Sequence, residues 1–339
     1  MISNNTGGGQ GAAAGKLSPD ALTRLVLAKA GAPRSEVLIG SAVGEDAAVI
    51  RWPGGKLLVF ASDPIVGARR GAGRLLVRVN VNDIASKGGE PAYMTVTLIF
   101  PPAMGEGAVA AVMDEIHGEC LKNGIAIVGG HTEFNDRYSH PVLSASLIGL
   151  ADRVFSASDV MEGDAIYVSK HIGIEGMAIL ASDRPDLLEG IFSPDEILEI
   201  EGWMDMTSVL EESRLLRDYA SFMHDPTEGG FLGGLGEMCA LAGFFADLSA
   251  CSPPIHPYVK RASQALGFDP LRLVASGSML ASVPEGVVAE AEAAFRNAAI
   301  DITRVGTMTA SRGVSYDPGE TDGVHEELWS LLERGSSSV

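Results

Sequence analysis

The stretch Leu76–Met94, LVRVNVNDIASKGGEPAYM, constrains this chain more than any other. Val77, Val79 and Val81 alternate with Arg78, Asn80 and Asn82, the period of a strand with one buried face. Asp83 follows, and Ile84-Ala85-Ser86 reads as the first turn of a helix that Lys87-Gly88-Gly89 ends and Pro91 closes off. A carboxylate where a strand meets a helix is placed to hold a metal beside phosphate oxygens, which the free N–H groups of a helix N-terminus attract. The plainer reading makes Asp83 an N-cap and Asn80 and Asn82 turn residues.

The neighbouring segments favour the metal. Asp46 lies in Val43-Gly44-Glu45-Asp46, just before the apolar run Ala47–Ile50. Small residues such as Gly44 flank the acids there, so backbone or a ligand can approach closely. Asp63 follows a second strand, Lys56–Ala61. Three aspartates, each beside an apolar strand, resemble a divalent-metal site. Mg²⁺ takes few protein carboxylates and completes its shell with water and phosphate, so a nucleotide phosphate is its natural partner.

Further along, the spacing predicts a strand over 93–100 and a helix over 107–123. A fully apolar strand over 125–128 then leads into Gly129-Gly130-His131-Thr132-Glu133. Gly-Gly after a buried strand can turn backbone N–H groups toward an anion. A strand over 141–150 closes a unit of order strand, strand, helix, strand, helix, strand, strand, a mixed α/β or α+β arrangement. Residues 152–162 are polar and irregular and read as a boundary. Beyond them come a strand over 164–169 and a glycine-bearing turn, Lys170–Gly176, which lacks the dinucleotide fingerprint. Helical acidic segments span 185–203. The stretch Met223-His224-Asp225-Pro226-Thr227-Glu228-Gly229-Gly230 precedes a helix over 231–242. Here Asp225 or Thr227 reads as a helix cap, or as a carboxylate and hydroxyl presented into a cleft. Strand segments are expected over 271–274 and 279–283, a helix over 285–299 and a strand over 301–308.

Length and charge narrow the function. At 339 residues the chain exceeds what one core usually supports, so two domains are expected: 16–151 and 152–335, after a flexible Gly/Ala-rich tail over 1–15. A helix is expected over 16–31. The net charge of −19 argues against holding a nucleic-acid backbone. Cys120, Cys239 and Cys251 are too few and too scattered for a disulfide framework or a zinc site, which fits a cytoplasmic protein. No apolar run reaches membrane-spanning length.

Six segments in order carry a resemblance to a family: GEDAAVI (44–50), ASDP (61–64), VNVNDIASKGGEP (79–91), IVGGHTE (127–133), MHDPTEGG (223–230) and ASGSM (275–279). They resemble the aminoimidazole-ribonucleotide synthetase, or PurM-like, superfamily, which includes HypE proteins, thiamine-monophosphate kinases and selenophosphate synthetases. The similarity is greatest to HypE-like, synthetase-related proteins and runs from about residue 16 to residue 308. It implies a two-domain α/β (α+β) subunit whose N-terminal mixed-sheet domain forms a homodimer and binds ATP with Mg²⁺ near the interface. By the resemblance, Asp46, Asp63 and Asp83 are metal ligands, with Glu133 a fourth where many relatives have an acid at His131. Asn80, Gly44, Gly129, Gly130 and Thr132 surround the nucleotide. Asp83 and Asp225 serve catalysis. The implied chemistry is ATP-dependent activation or phosphorylation of a small molecule or a protein terminus. A thiamine-monophosphate-kinase-like phosphotransferase and a non-catalytic nucleotide-binding scaffold in a maturation complex are the alternatives. HypE proteins that dehydrate a carbamoylated cysteine carry it at the C-terminal end, whereas here no cysteine follows Cys251. Selenophosphate synthetases use a reactive residue near the N-terminus, whereas the first cysteine here is Cys120.

Overall fold

A computed structural model describes residues 35–40, 42–52, 54–65, 70–248, 252–311 and 326–334, with the isolated positions 19 and 23. The tail expected over 1–15, nearly all of the helix expected over 16–31, Cys251 and the final residues 335–339 lie outside the described residues. Two sheets organise the rest. The first half gives β1 (Val37–Ile39), β2 (Ala48–Arg51), β3 (Leu57–Ile65), α1 (Ala72–Ser86), β4 (Glu90–Phe100), α2 (Gly105–Lys122), β5 (Ala126–Phe134) and β6 (Val142–Ala151). Its sheet runs β1-β2-β3-β6-β4-β5. All neighbours are antiparallel except β4 and β5, which α2 joins in parallel as a crossover requires. The mixed sheet expected from the alternation of strands and helices is therefore present.

The second half contains β7 (Ala165–Ser169), α3 (Ile174–Asp183), α4 (Pro185–Leu188), α5 (Pro194–Gly202), α6 (Leu210–Leu216), β8 (Phe222–His224), α7 (Gly230–Ala242), β9 (Phe245–Asp247), α8 (Pro257–Leu266), β10 (Leu280–Val283), α9 (Val288–Ala298), β11 (Ile302–Thr309) and α10 (Glu327–Leu332). Its sheet, β8-β10-β7-β11-β9, is antiparallel throughout. Apolar residues of both halves share one core: Val59, Leu76 and Val81 belong to the same buried cluster as Met223, Ala281 and Phe295. The strand expected over 271–274 is not formed; Pro270–Arg272 make a single 3₁₀ turn instead.

The opening stretch departs most from its sequence reading. Val77, Val79 and Val81 do not form a strand. Residues 72–86 are one continuous α-helix, so Asp83 lies in its interior and is neither an N-cap nor a strand-end residue. The alternation misled because it assumes that polar positions face water. Here Arg78, Asn80 and Asn82 are as buried as the valines between them. Arg78 pairs with Glu119 at 2.9 Å and with Asp205 at 3.1 Å. Asn80 accepts from the Asp63 N–H and donates to the Leu76 carbonyl. Asn82 donates to the Thr207 carbonyl and accepts from the Val209 N–H. A helix buried on nearly every side has no polar face to reveal its period, and Arg78, Asn80 and Asn82 can be buried because each is hydrogen-bonded.

Candidate functional site

Helix α1 lies where both halves meet, and Asp83 is the centre of a carboxylate cluster on it. Burial, together with the charges of Asp63, Asp46 and Asp225 and a hydrogen bond with Asp63, holds Asp83 well above the usual carboxylate range. Burial and neighbouring like charges both disfavour the ionised carboxylate, the behaviour of acids too close to ionise together. Asp63 is fixed in β3 by the Asn80 side chain, whose oxygen accepts from the Asp63 N–H at 3.1 Å. Asp225 follows β8 and is 2% exposed. Burial first, then the charge of Asp46, raises it strongly. Asn82 draws it down from nearby, yet neither carboxylate oxygen has a hydrogen-bond partner of ordinary geometry among the described residues. A buried carboxyl without a partner is costly unless something else binds there.

Asp46 stands apart electrostatically. Burial pushes its carboxyl up, but the charge and hydrogen bond of His224, with help from Lys87, bring it below its ordinary value. His224 Nδ1 lies 2.8 Å from Asp46, and Nε2 lies 2.9 Å from Glu237 on α7. Burial opposes a charged ring, but the two carboxylates reverse that and raise His224 to about 10. An imidazolium thus bridges the loop before β2, strand β8 and helix α7. Beside it, Lys87 is fully buried, pairs with Glu45 and lies 4.7 Å from the Phe222 ring centre. Gly44 makes the approach feasible. Its φ is +79°, and a Cβ there would stand 2.9 Å from Leu241 and 3.0 Å from Glu237. The 42–46 loop can therefore lie directly on α7.

The structure brings together Asp46, Asp63, Asp83 and Asp225, with Asn80 and Gly44 at the edges. It does not bring Glu133, Gly129, Gly130 or Thr132 to them within one protomer. The Gly129-Gly130 pair makes no turn. β5 continues through it to Phe134 as an edge strand, and the 125–128 run is buried only in alternation, with Ile125 buried, Ile127 partly so and Val128 59% exposed. The register aligns Asp63 with Ala145, Val96 and Gly130 across β3, β6, β4 and β5. Three strand spacings put Gly130 ~14 Å from Asp63. Glu133 hydrogen-bonds to His131 and Asn135 instead. Among the described residues, no three His, Cys, Asp or Glu side chains already enclose a metal-sized position. The donor set nonetheless suits Mg²⁺. It consists of oxygen ligands, and that ion needs only one or two carboxylates beside water and phosphate.

His224, Glu237, Glu45 and Lys87 escaped the sequence reading. His224 adjoins Asp225 in a segment already singled out, but nothing in the sequence pairs it with Asp46, 178 positions away. A buried Lys or His beside acidic segments is the one signal that could have prompted the search.

Comparison with known proteins agrees with this architecture. The family model for the AIR synthase related protein N-terminal domain matches residues 44–151, and that for the C-terminal domain matches residues 161–317. A putative hydrogenase expression/formation protein of Methanocaldococcus jannaschii is 31% identical over 237 residues, covering 68% of this chain and 69% of the relative. Among solved structures, AaThiL complexed with AMPPCP and TMP superposes with a TM-score of 0.73 at 19% identity, covering 91% of this chain and 96% of that one. The hydrogenase maturation protein HypE in complex with ATP superposes at 0.65 and 22% identity, covering 88% of each chain. With both halves matched in order and the two-sheet PurM-like fold in place, the chain belongs to the AIR synthase related family.

Proposed function

We propose that this protein is an ATP- and Mg²⁺-dependent enzyme of the HypE-like type that activates or phosphorylates an oxygen of a small molecule or a protein terminus. The carrying observation is the cluster of four aspartates, two buried (Asp83 and Asp225) and two partly buried (Asp46 and Asp63), in which Asp83 and Asp225 are held above the usual carboxylate range. Carboxyls raised by burial and by one another's charge are relieved by a divalent cation, which competes with protons for their oxygens. Asp46, Asp63 and Asp83 hold Mg²⁺, with Asn80 fixing Asp63 and Asp225 facing the reacting group. When bound, Mg²⁺ neutralises phosphate charge, and the rest of catalysis is positioning. The nucleotide complexes of the ThiL and HypE neighbours support ATP as the second ligand.

In this reading the protein works as a homodimer. β5 is an unpaired edge with Val128 and Phe134 exposed, and Tyr93 on β4 is exposed beside it. Such an edge invites a partner strand. The proposed nucleotide contacts of Gly129, Gly130 and Thr132, and the proposed metal contact of Glu133, are made across that interface.

Isothermal titration of MgATP tests the reading, with a count of protons released in two buffers of different ionisation enthalpy. Tight binding that releases protons and weakens at least about tenfold in Asp83→Asn is expected. Equal affinity in both proteins defeats the metal assignment. A thiamine-monophosphate-kinase-like activity is the second reading, favoured by the 96% coverage of the ThiL structure. Incubation with thiamine monophosphate and MgATP decides between the two by whether a diphosphate forms.

A further inference from the structure

The Glu326 carboxylate, just before α10, takes part in none of the chemistry above, yet three segments converge on it. Its Oε2 accepts from the Gly229 N–H at 2.7 Å, and its Oε1 accepts from the Val274 N–H at 3.1 Å and the Leu328 N–H at 2.7 Å. Gly229 belongs to the loop that carries Asp225 and starts α7; Val274 belongs to the loop that carries Ser276. The two loops also touch directly. Ala275 donates to the Thr227 carbonyl at 3.4 Å, and a Cβ on Gly230 would stand 2.6 Å from the Leu273 carbonyl. Each loop presents a buried polar group with no hydrogen-bond partner among the described residues: the Asp225 carboxylate, 2% exposed, and the Ser276 hydroxyl, 1% exposed. Leu328 and Leu331, both buried in the core built around α3, anchor the segment that supplies the clasp. Burial outweighs the three N–H bonds and raises Glu326 to about 7, so its carboxyl is placed there at some cost.

We propose that Glu326 is a positioning residue: its two oxygens clasp the Asp225 loop to the Ser276 loop and set the spacing of the groups those loops present to substrate. The assignment of a substrate-facing role to these loops rests on the function proposed above; the clasp itself does not. Glutamine offers one acceptor oxygen where glutamate offers two, so Glu326→Gln releases one loop and Glu326→Ala releases both. Leu328 and Leu331 keep the segment docked in each variant.

Amide hydrogen exchange on the full chain, read by mass spectrometry on peptides covering 222–232 and 271–279, tests the clasp. The expected result is exchange faster by at least about tenfold in one of the two peptides for Glu326→Gln and in both for Glu326→Ala, with peptides over 72–86 unchanged. Unchanged exchange in both loops overturns the proposal. So does faster exchange across the whole molecule, which marks a general loss of stability. MgATP titration of the same variants separates the two readings. Intact MgATP binding with altered turnover places the clasp on the substrate side. No MgATP binding by the wild type, with the exchange pattern as expected, refutes the function proposed above and leaves the clasp standing.

Discussion

Replacing His224 by glutamine removes the one cation between Asp46 and Glu237, and the structure fixes the size of the consequence. The imidazole is 3% exposed and its pKa rises from 6.5 to about 10. Its folded-state value exceeds its unfolded one, so its contribution is fully present below pH 6.5 and disappears as the pH climbs through 10. At 1.36 kcal/mol per unit, the charged ring contributes ~4 kcal/mol at pH 7. The depressed value of Asp46 reflects the same contact and is not counted again. Glutamine keeps hydrogen-bonding atoms but takes the imidazolium from between the Asp46 and Glu237 carboxylates and leaves only Lys87 as a counter-charge near Asp46, a change that costs ~3–5 kcal/mol. Urea midpoints followed by tryptophan fluorescence should therefore fall by ~1 M or more for His224→Gln at pH 7. The gap between the two proteins should narrow steadily as the pH rises from about 6.5 to about 10. Equal midpoints at pH 7, or a gap unchanged to pH 10, would show that the ring is neutral in the folded protein and that the bridge holds nothing together.

Three more expectations use the same reasoning. Asp83 has a raised folded-state value, so its contribution is present at acid pH and lost as the pH rises through that value; Asp83→Asn should melt higher than wild type at pH 8 without Mg²⁺ and gain less when a few millimolar MgCl₂ is added. Arg78→Met leaves the buried Glu119 with only the exposed Lys122, at 3.3 Å, as a partner and should cost ~3–5 kcal/mol by denaturant titration, more than any exposed ion pair would. Gly44→Ala forces a side chain into a left-handed backbone and against Leu241 and Glu237, and should cost ~1–3 kcal/mol while lowering MgATP affinity through displacement of Asp46.

The acids stood out in the sequence because a lone carboxylate is conspicuous in an otherwise apolar run, although Asp83 proved to lie inside a helix and not beside a strand. Strands β2, β3, β4, β6, β7, β10 and β11 were legible too, from their own apolar runs. Helix α1 was not, since Arg78, Asn80 and Asn82 find their partners at Glu119, Asp205, Asp63, Thr207 and Val209, far along the chain. Once those partners are present, polar residues are buried as fully as valines, and a pattern read from polarity loses its meaning. Gly129-Gly130 failed for a related reason. Glycine pairs announce turns only when nothing adjacent supplies a ladder, and β4 does so here.

What the sequence determined by itself was composition and order: which segments bear acids, which are apolar, and which family those segments resemble. Only the tertiary structure decided which acids share a charge environment, and that Glu133 is not among them. It alone set His224 between Asp46 and Glu237, and Glu326 between two loops. The physical reason is the range of the interactions. Periodicity and turn chemistry act over a few residues, whereas burial and Coulomb forces act between side chains that only the folded chain brings within a few ångströms of each other.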